Sequence, residues 1–204
     1  MAVTNGYVSL DLVKKALRID ASDVIDDEIL ELSIGAASRE IDGYCERVFY
    51  STTETRVFVP QDSFTVEIDD ATNITEVKTA SDGVSFDTTF TTSDFQEEPL
   101  NGQAGGIVSP TTRLRAVGDH LFPRFQPRNV SNHEATVRVV GTFGFTPVPV
   151  AVEQAALLLT LRQYRRYESP LGVAGFDTMG AVRVGRTDPD VAKLLEPFRR
   201  VRMG

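Results

Sequence analysis

Few groups in this chain could do acid–base, nucleophilic or metal chemistry. His120 and His133 are its two histidines, and neither has a second histidine or a cysteine at ligand spacing, so no zinc site is expected. Asp119-His120 with a distant serine has the residue types of a hydrolytic triad, but no Gly-x-Ser-x-Gly elbow accompanies it. Glu97 and Glu98 are adjacent carboxylates in a turn-rich stretch, where solvation is expected rather than proton transfer. Gly141-Thr142-Phe143-Gly144 lacks the Gly-Lys-Ser/Thr of a phosphate loop. It lies within a strand pattern, where glycines mark a bulge or a close backbone crossing. Cys45 is the single cysteine, which excludes an internal disulfide and a thiolate-rich metal site and suggests assembly in a reducing cytosol. Asp23, Asp26, Asp27 and Glu28 crowd together without the spaced loop and glycine of a calcium hand. They read as an acidic helix start favoured by the helix dipole. The residue types therefore predict no catalytic set, no metal and no cofactor.

Charge is unevenly spread. Residues 155–204 hold nine Lys/Arg against five Asp/Glu, a balance of +4, which leaves −12 on the rest of a chain whose total is −8. An acidic body repels phosphate and does not bind DNA over a broad surface. The basic end could meet an acidic protein surface or nucleic acid, or its arginines could be solvated helix ends. No run approaches the roughly 20 apolar residues of a membrane span, and the N-terminus has no basic and apolar signal pattern.

The elements that would position these groups fall into a bracket. Ser9 caps a predicted helix over 10–18, and a second runs from Asp26 to about Tyr44, with apolar residues at three- and four-residue steps. Between Ser51 and Phe145 the pattern alternates instead. Strands are expected at 55–59, 64–68, 74–80, 84–90, 113–117 and 135–145, with turns at Asp69-Asp70 and Ser81-Asp82-Gly83 and a long loop over 97–109. A third helix is predicted over 150–167, apolar almost all round from Ala155 to Leu161 and therefore buried on most sides. Residues 169–187 carry four glycines and are expected to be mobile. Asp188 and Pro189 open a last helix with Val191, Leu194, Leu195 and Phe198 on one face. The expected class is α+β: a small bundle of three to four helices drawn from both chain ends, with an inserted antiparallel sheet or small barrel. Its parts would be 1–50, the β-rich insertion 51–146, the central helix 147–168, the loop 169–187 and the docking helix with its basic tail, 188–204.

The stretch from Tyr7 to Ile19, then Asp26 to Cys45, resembles the start of tailed-phage head–tail connector proteins. Val139-Val140-Gly141-Thr142-Phe143-Gly144-Phe145 followed by Pro147-x-Pro149 and an apolar helix is similar to the strand-to-helix step of that family. The ending from Leu194 to Arg202 is similar to its close. The resemblance covers about half the chain, the helical frame. It implies a non-enzymatic head-to-tail adaptor of a virion, assembled in the host cytoplasm. Such a protein forms a homo-oligomeric ring, usually a dodecamer, below the portal protein. It extends the channel through which phage DNA passes without sequence-specific binding, and it offers a platform to a stopper or tail-terminator protein. No membrane is involved.

Two sets of contacts are expected on this basis. Leu194, Leu195, Pro197, Phe198, Arg199, Arg200 and Arg202 would dock on the portal, with Phe198 as an apolar anchor. Asp26, Asp27 and Glu28 would face Arg162, Arg165 and Arg166, within one subunit or across two. The alternatives are a tail-completion or stopper protein, and a small ligand-binding or hydrolase module built on the β-rich middle.

Overall fold

The computed structural model describes residues 3–102, 109–126, 134–168 and 188–200. The chain forms two compact units, one of residues 1–50 with 147–204 and the other of residues 51–146. The predicted mobility of 169–187 and the docking role of Arg202 fall outside the described residues.

The first unit is helical. Helix α1 spans Leu10–Leu17, and the Ser9 side chain accepts from the Leu12 amide, as an N-cap should. Arg18 ends it in the left-handed region, φ 60°, which turns the chain toward α2. Helix α2 spans Asp27–Cys45 and buries Leu30, Ile34, Ala37, Ser38, Ile41 and Cys45, the three- and four-residue spacing of one helical face.

Helix α3 spans Val150–Glu168. It buries Val152, Ala155, Ala156, Leu159 and Thr160, whereas Leu158 is 37% exposed. The expected burial on most sides holds from Ala155 to Leu161, where Leu158 alone is exposed. Thr160 is accommodated in the core because its hydroxyl donates to the Ala156 carbonyl at 2.7 Å. Helix α4 spans Pro189–Leu195, with the Asp188 side chain accepting from the Asp190 amide and proline at the first position.

The second unit is one antiparallel sheet of six strands: β1 Thr52–Phe58, β2 Thr65–Thr79, β3 Thr88–Phe90, β4 Phe95–Glu98, β5 Thr111–Ala116 and β6 Val137–Phe143. Their order is β1-β6-β2-β5-β4, with β3 paired to the C-terminal end of β2. The sheet has edges at β1 and β4, so it is open and the barrel alternative is set aside.

Residues 64–68 and 74–80 were expected as separate strands with a turn at Asp69-Asp70; they form one strand. The register of β2 against β5 shifts between Glu67 and Ala71, so Asp69 and Asp70 sit in an irregularity. There the Asp70 carbonyl accepts from the Gly144 amide at 2.6 Å. Strand β4 occupies part of the expected 97–109 loop, and only 88–90 of the expected strand 84–90 pairs.

Alternation along β6 puts Val137, Val139, Gly141 and Phe143 on the buried side. They join Val66, Ile68, Val77, Leu114 and Phe122 in the core of the sheet unit. Phe90 stacks on Phe122, centroids 5.3 Å apart. At Gly141 a Cβ would lie 2.4 Å from the Asn73 carbonyl oxygen, so this glycine does mark a close backbone crossing.

Candidate functional site

The groups that looked most chemical in sequence are tied into structure. His120 Nε2 lies 3.2 Å from Asp94 Oδ1, not against Asp119, and its ring stands edge-on to Phe90. Asp94 itself caps a turn, accepting from the Thr91 amide, and that bond is the main reason its carboxyl is held below the usual range. Glu97 accepts from the Thr111 hydroxyl at 2.7 Å, and Glu98 lies 3.4 Å from Arg113. Both carboxylates lace β4 to β5. Among the described residues no group of three or more His, Cys, Asp or Glu could hold a metal ion.

The helical unit concentrates the polar geometry instead. Lys14 on α1 is 4% exposed. Its Nζ lies 2.5 Å from Asp27 Oδ1 and donates to the Asp23 carbonyl at 2.7 Å. A buried ammonium needs this pairing, because desolvation is otherwise unanswered. The acidic start of α2 is thus only partly a capping device. Asp26 makes no cap bond to the helix; its carboxylate accepts from the Tyr164 hydroxyl of α3 at 2.8 Å. Glu28 is exposed.

A second network fastens the segment before α1. The Tyr7 amide donates to Ser38 Oγ at 3.0 Å, and the Tyr7 hydroxyl accepts from the Phe49 amide at 2.8 Å and donates to Asp42. Arg39 pairs with Asp42 at 2.9 Å and lies over the rings of Tyr7 and Tyr50. Burial pushes the Asp42 carboxyl above its ordinary value, partly offset by the Tyr7 bond and the Arg39 charge. Burial, then the bond to Asp42, pushes the Tyr7 phenol up. Burial likewise pushes the Cys45 thiol up to about 11. The opening motif drew attention to Tyr7 without revealing this role. An aromatic just ahead of an N-cap was the available signal, and its polar partners lie 31 to 42 residues away.

The expected docking segment is itself docked. Val191 and Leu195 are buried, Phe198 packs edge-on against Phe49 at 5.8 Å, and the Arg200 amide donates to the Cys45 carbonyl at 2.9 Å. Arg199 lies over the Tyr44 ring. Leu194 is half-buried, and Pro197 is exposed. Beneath the segment lies a cavity of about 90 Å³ lined by Glu40, Ile41, Tyr44, Leu159, Arg162, Asp188, Val191, Ala192 and Leu195. Arg162 Nη1 lies 3.7 Å from Asp188 Oδ2. Arg165 and Arg166 are exposed and make no ion pair among the described residues. The structure brings α2's start and α3 together through Asp26 and Tyr164, while Arg162 lies beside Asp188.

The outward side of α2 is different in character. Leu32 is 70% exposed there, and Ile25, just ahead of the helix, 83%. A groove of about 410 Å³ runs there, lined by Val3, Thr4, Glu28, Glu31, Leu32, Gly35 and Ala36. No helix of the described residues is long and apolar enough to cross a membrane.

Against known proteins, residues 7–90 match the family model of phage gp6-like head–tail connector proteins. The match runs from Tyr7 through α1 and α2 and on to the end of β3. No curated protein matches the chain at significant similarity. Among solved structures, a chain in the neck of an empty gene transfer agent particle with C6 symmetry shares 19% identity and a TM-score of 0.56, over all of this chain and 94% of that one. A chain in the neck of the native particle with C12 symmetry shares 20% identity and a TM-score of 0.54 over the same shares. A chain of the native gene transfer agent virion shares 20% identity, with a TM-score of 0.55. At these identities the likeness is one of fold, and it extends over the whole chain.

Proposed function

From the phage gp6-like head–tail connector signature carried by residues 7–90, we propose that the protein is a structural head-to-tail adaptor of a tailed phage or phage-like particle. It acts without catalysis, in the head–tail connector region of the virion. Copies form a ring below the portal, extend the DNA channel and present a platform to the next stopper or tail protein. The observation that carries this reading is where the signature falls: on α1, α2 and the networks of Tyr7 and Lys14 that fasten them. The fold likeness to particle necks over the full chain supports it. So does the net charge of −8, since an acidic wall does not grip passing DNA. Twelvefold order is the expected ring number.

Portal docking is assigned to the exposed side of the C-terminal segment: Pro197, Arg199 and the outer part of Leu194, with Arg200 beside them. Leu195 and Phe198 hold that side in place from behind, through Leu195's burial and the Phe198–Phe49 contact. Deleting 188–204 would therefore strip the helical core as well as the docking surface. Pro197→Asp with Arg199→Glu is the cleaner perturbation.

The deciding experiment is native mass analysis of the full chain, alone and mixed with the portal from the same genome. A ring or a stoichiometric portal complex, lost in the Pro197→Asp/Arg199→Glu variant without loss of thermal stability, supports the reading. A chain that ignores the portal and binds a tail component is a tail-completion or stopper protein instead.

A further inference from the structure

We propose that the outward groove of α2 is the seat for the C-terminal end of α3 from a second copy of this chain. The proposal rests on the ring-forming reading above and specifies which surfaces meet. Leu32 and Ala36 sit two residues along from the buried Leu30 and Ile34, about 200° round the helix, so they face away from their own core. With Gly35 they line the groove, and the exposed Glu28 gives it negative charge.

Gly35 supplies a separate argument. Glycine weakens a helix relative to alanine, yet a Cβ at this position would meet nothing within 4 Å in its own chain. The fold of one copy does not require the missing side chain, whereas close approach by another copy does.

The occupant is indicated by charge and shape. Tyr167 is 66% exposed at the end of α3. It follows Arg165 and Arg166, both exposed and without an ion pair among the described residues. Tyr167 is not among the residues lining its own chain's groove. A tyrosine next to an exposed arginine, Arg166, is the composition of an interface anchor, and the groove answers the pair with an apolar floor and the exposed Glu28. Because the two surfaces differ, the contact is heterologous, and such contacts close into rings when the rotation allows.

The test uses full-length chains, alone and with the portal of the same genome. Gly35→Leu puts a side chain into the groove from a Cβ position that meets nothing in its own chain and removes a glycine from a helix, so its melting temperature should stay at or above that of the wild type. Its assembly should be at least about tenfold weaker. Arg165→Glu with Arg166→Glu should lose assembly to a similar degree. Mixing a Leu32→Cys chain with a Tyr167→Cys chain under mild oxidation should give a disulfide-linked pair, which neither chain gives alone. If the wild type assembles, these variants assemble equally well and no cross-link forms, the interface assignment is overturned while the ring stands. If the wild type assembles under neither condition, the ring reading and this proposal fall together. If the groove variants lose portal binding with ring formation intact, the groove belongs to another protein and the second-copy assignment is overturned.

Discussion

In the helical unit Lys14, 4% exposed, is held by Asp27, and the Tyr7 hydroxyl reaches Asp42 beneath Arg39. In the sheet unit the interior is made of Val139, Phe143, Leu114 and the Phe90–Phe122 stack, and aspartates such as Asp62, Asp82 and Asp94 sit in turns holding backbone amides. The difference bears on what each unit must specify. A sheet core of interdigitated apolar side chains gains stability in proportion to the surface it hides, with register fixed by alternation. Four helices and an N-terminal strap have many near-equivalent packings, and a buried pair that is satisfied in only one of them selects that one. The helical unit thus uses polar contacts for uniqueness and leaves the outer side of α2 uncovered.

Removing a large ring from the sheet core should have the largest effect. Phe143 is 1% exposed, packs on Phe58 and lies under the Arg56 guanidinium. Phe143→Ala should cost about 3–5 kcal/mol by cavity formation. Hydrogen exchange should show lost protection in β1, β2 and β6, with the amides of α2 retaining theirs. Equal loss in both units would mean that they unfold as one, and the contrast would be broken at its root.

Lys14→Met probes the other side of the comparison. It leaves Asp27 without its lysine in a partly buried position, and a cost of about 2–3 kcal/mol is expected. Adding Asp27→Leu should recover most of that loss. If the double variant is as unstable as the single one, the pair is not what holds α1 on α2.

The helices were legible in sequence because their signals are local. Ser9, Asp188-Pro189 and the three- and four-residue apolar steps each act within a turn or two, and α1 to α4 lie within a residue or two of expectation. The sheet was legible as a sheet, but its strands were not, because β2 runs through Asp69-Asp70. Two aspartates read as a turn, whereas tertiary pairing with β5 and the Gly144 amide absorbs them as an irregularity in a long strand. Strand β4 was hidden for the same reason: Glu97 and Glu98 look like loop residues until Thr111 and Arg113 answer them across the pair. At the candidate site the arginines of α3 were visible but their partners were not. Asp188 meets Arg162 across a stretch of 26 residues, and Tyr164, with no charge to advertise it, takes Asp26. Long-range partners are set by the packing of whole elements, which no local spacing encodes.

Acidification should separate the units by sign. In the sheet unit the Ser85 and Val84 amides hold the Asp82 carboxyl at about 2, against an ordinary value of 3.8. A depressed carboxyl contributes stability that is present above 3.8 and is lost as pH falls toward 2. Asp42 in the helical unit is raised by burial. Its proton-linked contribution is full below 3.8 and is lost as pH rises through the raised value. The stability of the wild type relative to Asp82→Asn should therefore shrink between pH 4 and about 2. Its stability relative to Asp42→Asn should grow over the acid side of the raised value. Denaturant titrations of the three proteins across that range measure both. Parallel curves would show that the two aspartates feel the same environment.

The smallest expected effect is the sharpest control, because it uses the neighbour of Lys14 on the same helix. Lys15 Nζ lies 2.6 Å from Asp11 Oδ2, one helical turn away, with side chains 70% and 59% exposed. The order is favourable, acid toward the N-terminus and base toward the C-terminus, so helix dipole and ion pair act together. Water and salt nevertheless screen an exposed pair, and two long side chains lose freedom in making it. A double-mutant cycle of Lys15→Ala with Asp11→Ala should give a coupling of about 0.3–0.5 kcal/mol, falling as salt is raised. The Lys14–Asp27 cycle should give a larger coupling that salt hardly moves. Two adjacent lysines, each with a carboxylate within 2.6 Å, would then differ several-fold for one reason, the water removed from Lys14. Equal couplings would show that burial is not what distinguishes the interior of the helical unit, and its polar contacts would lose the specifying role assigned to them.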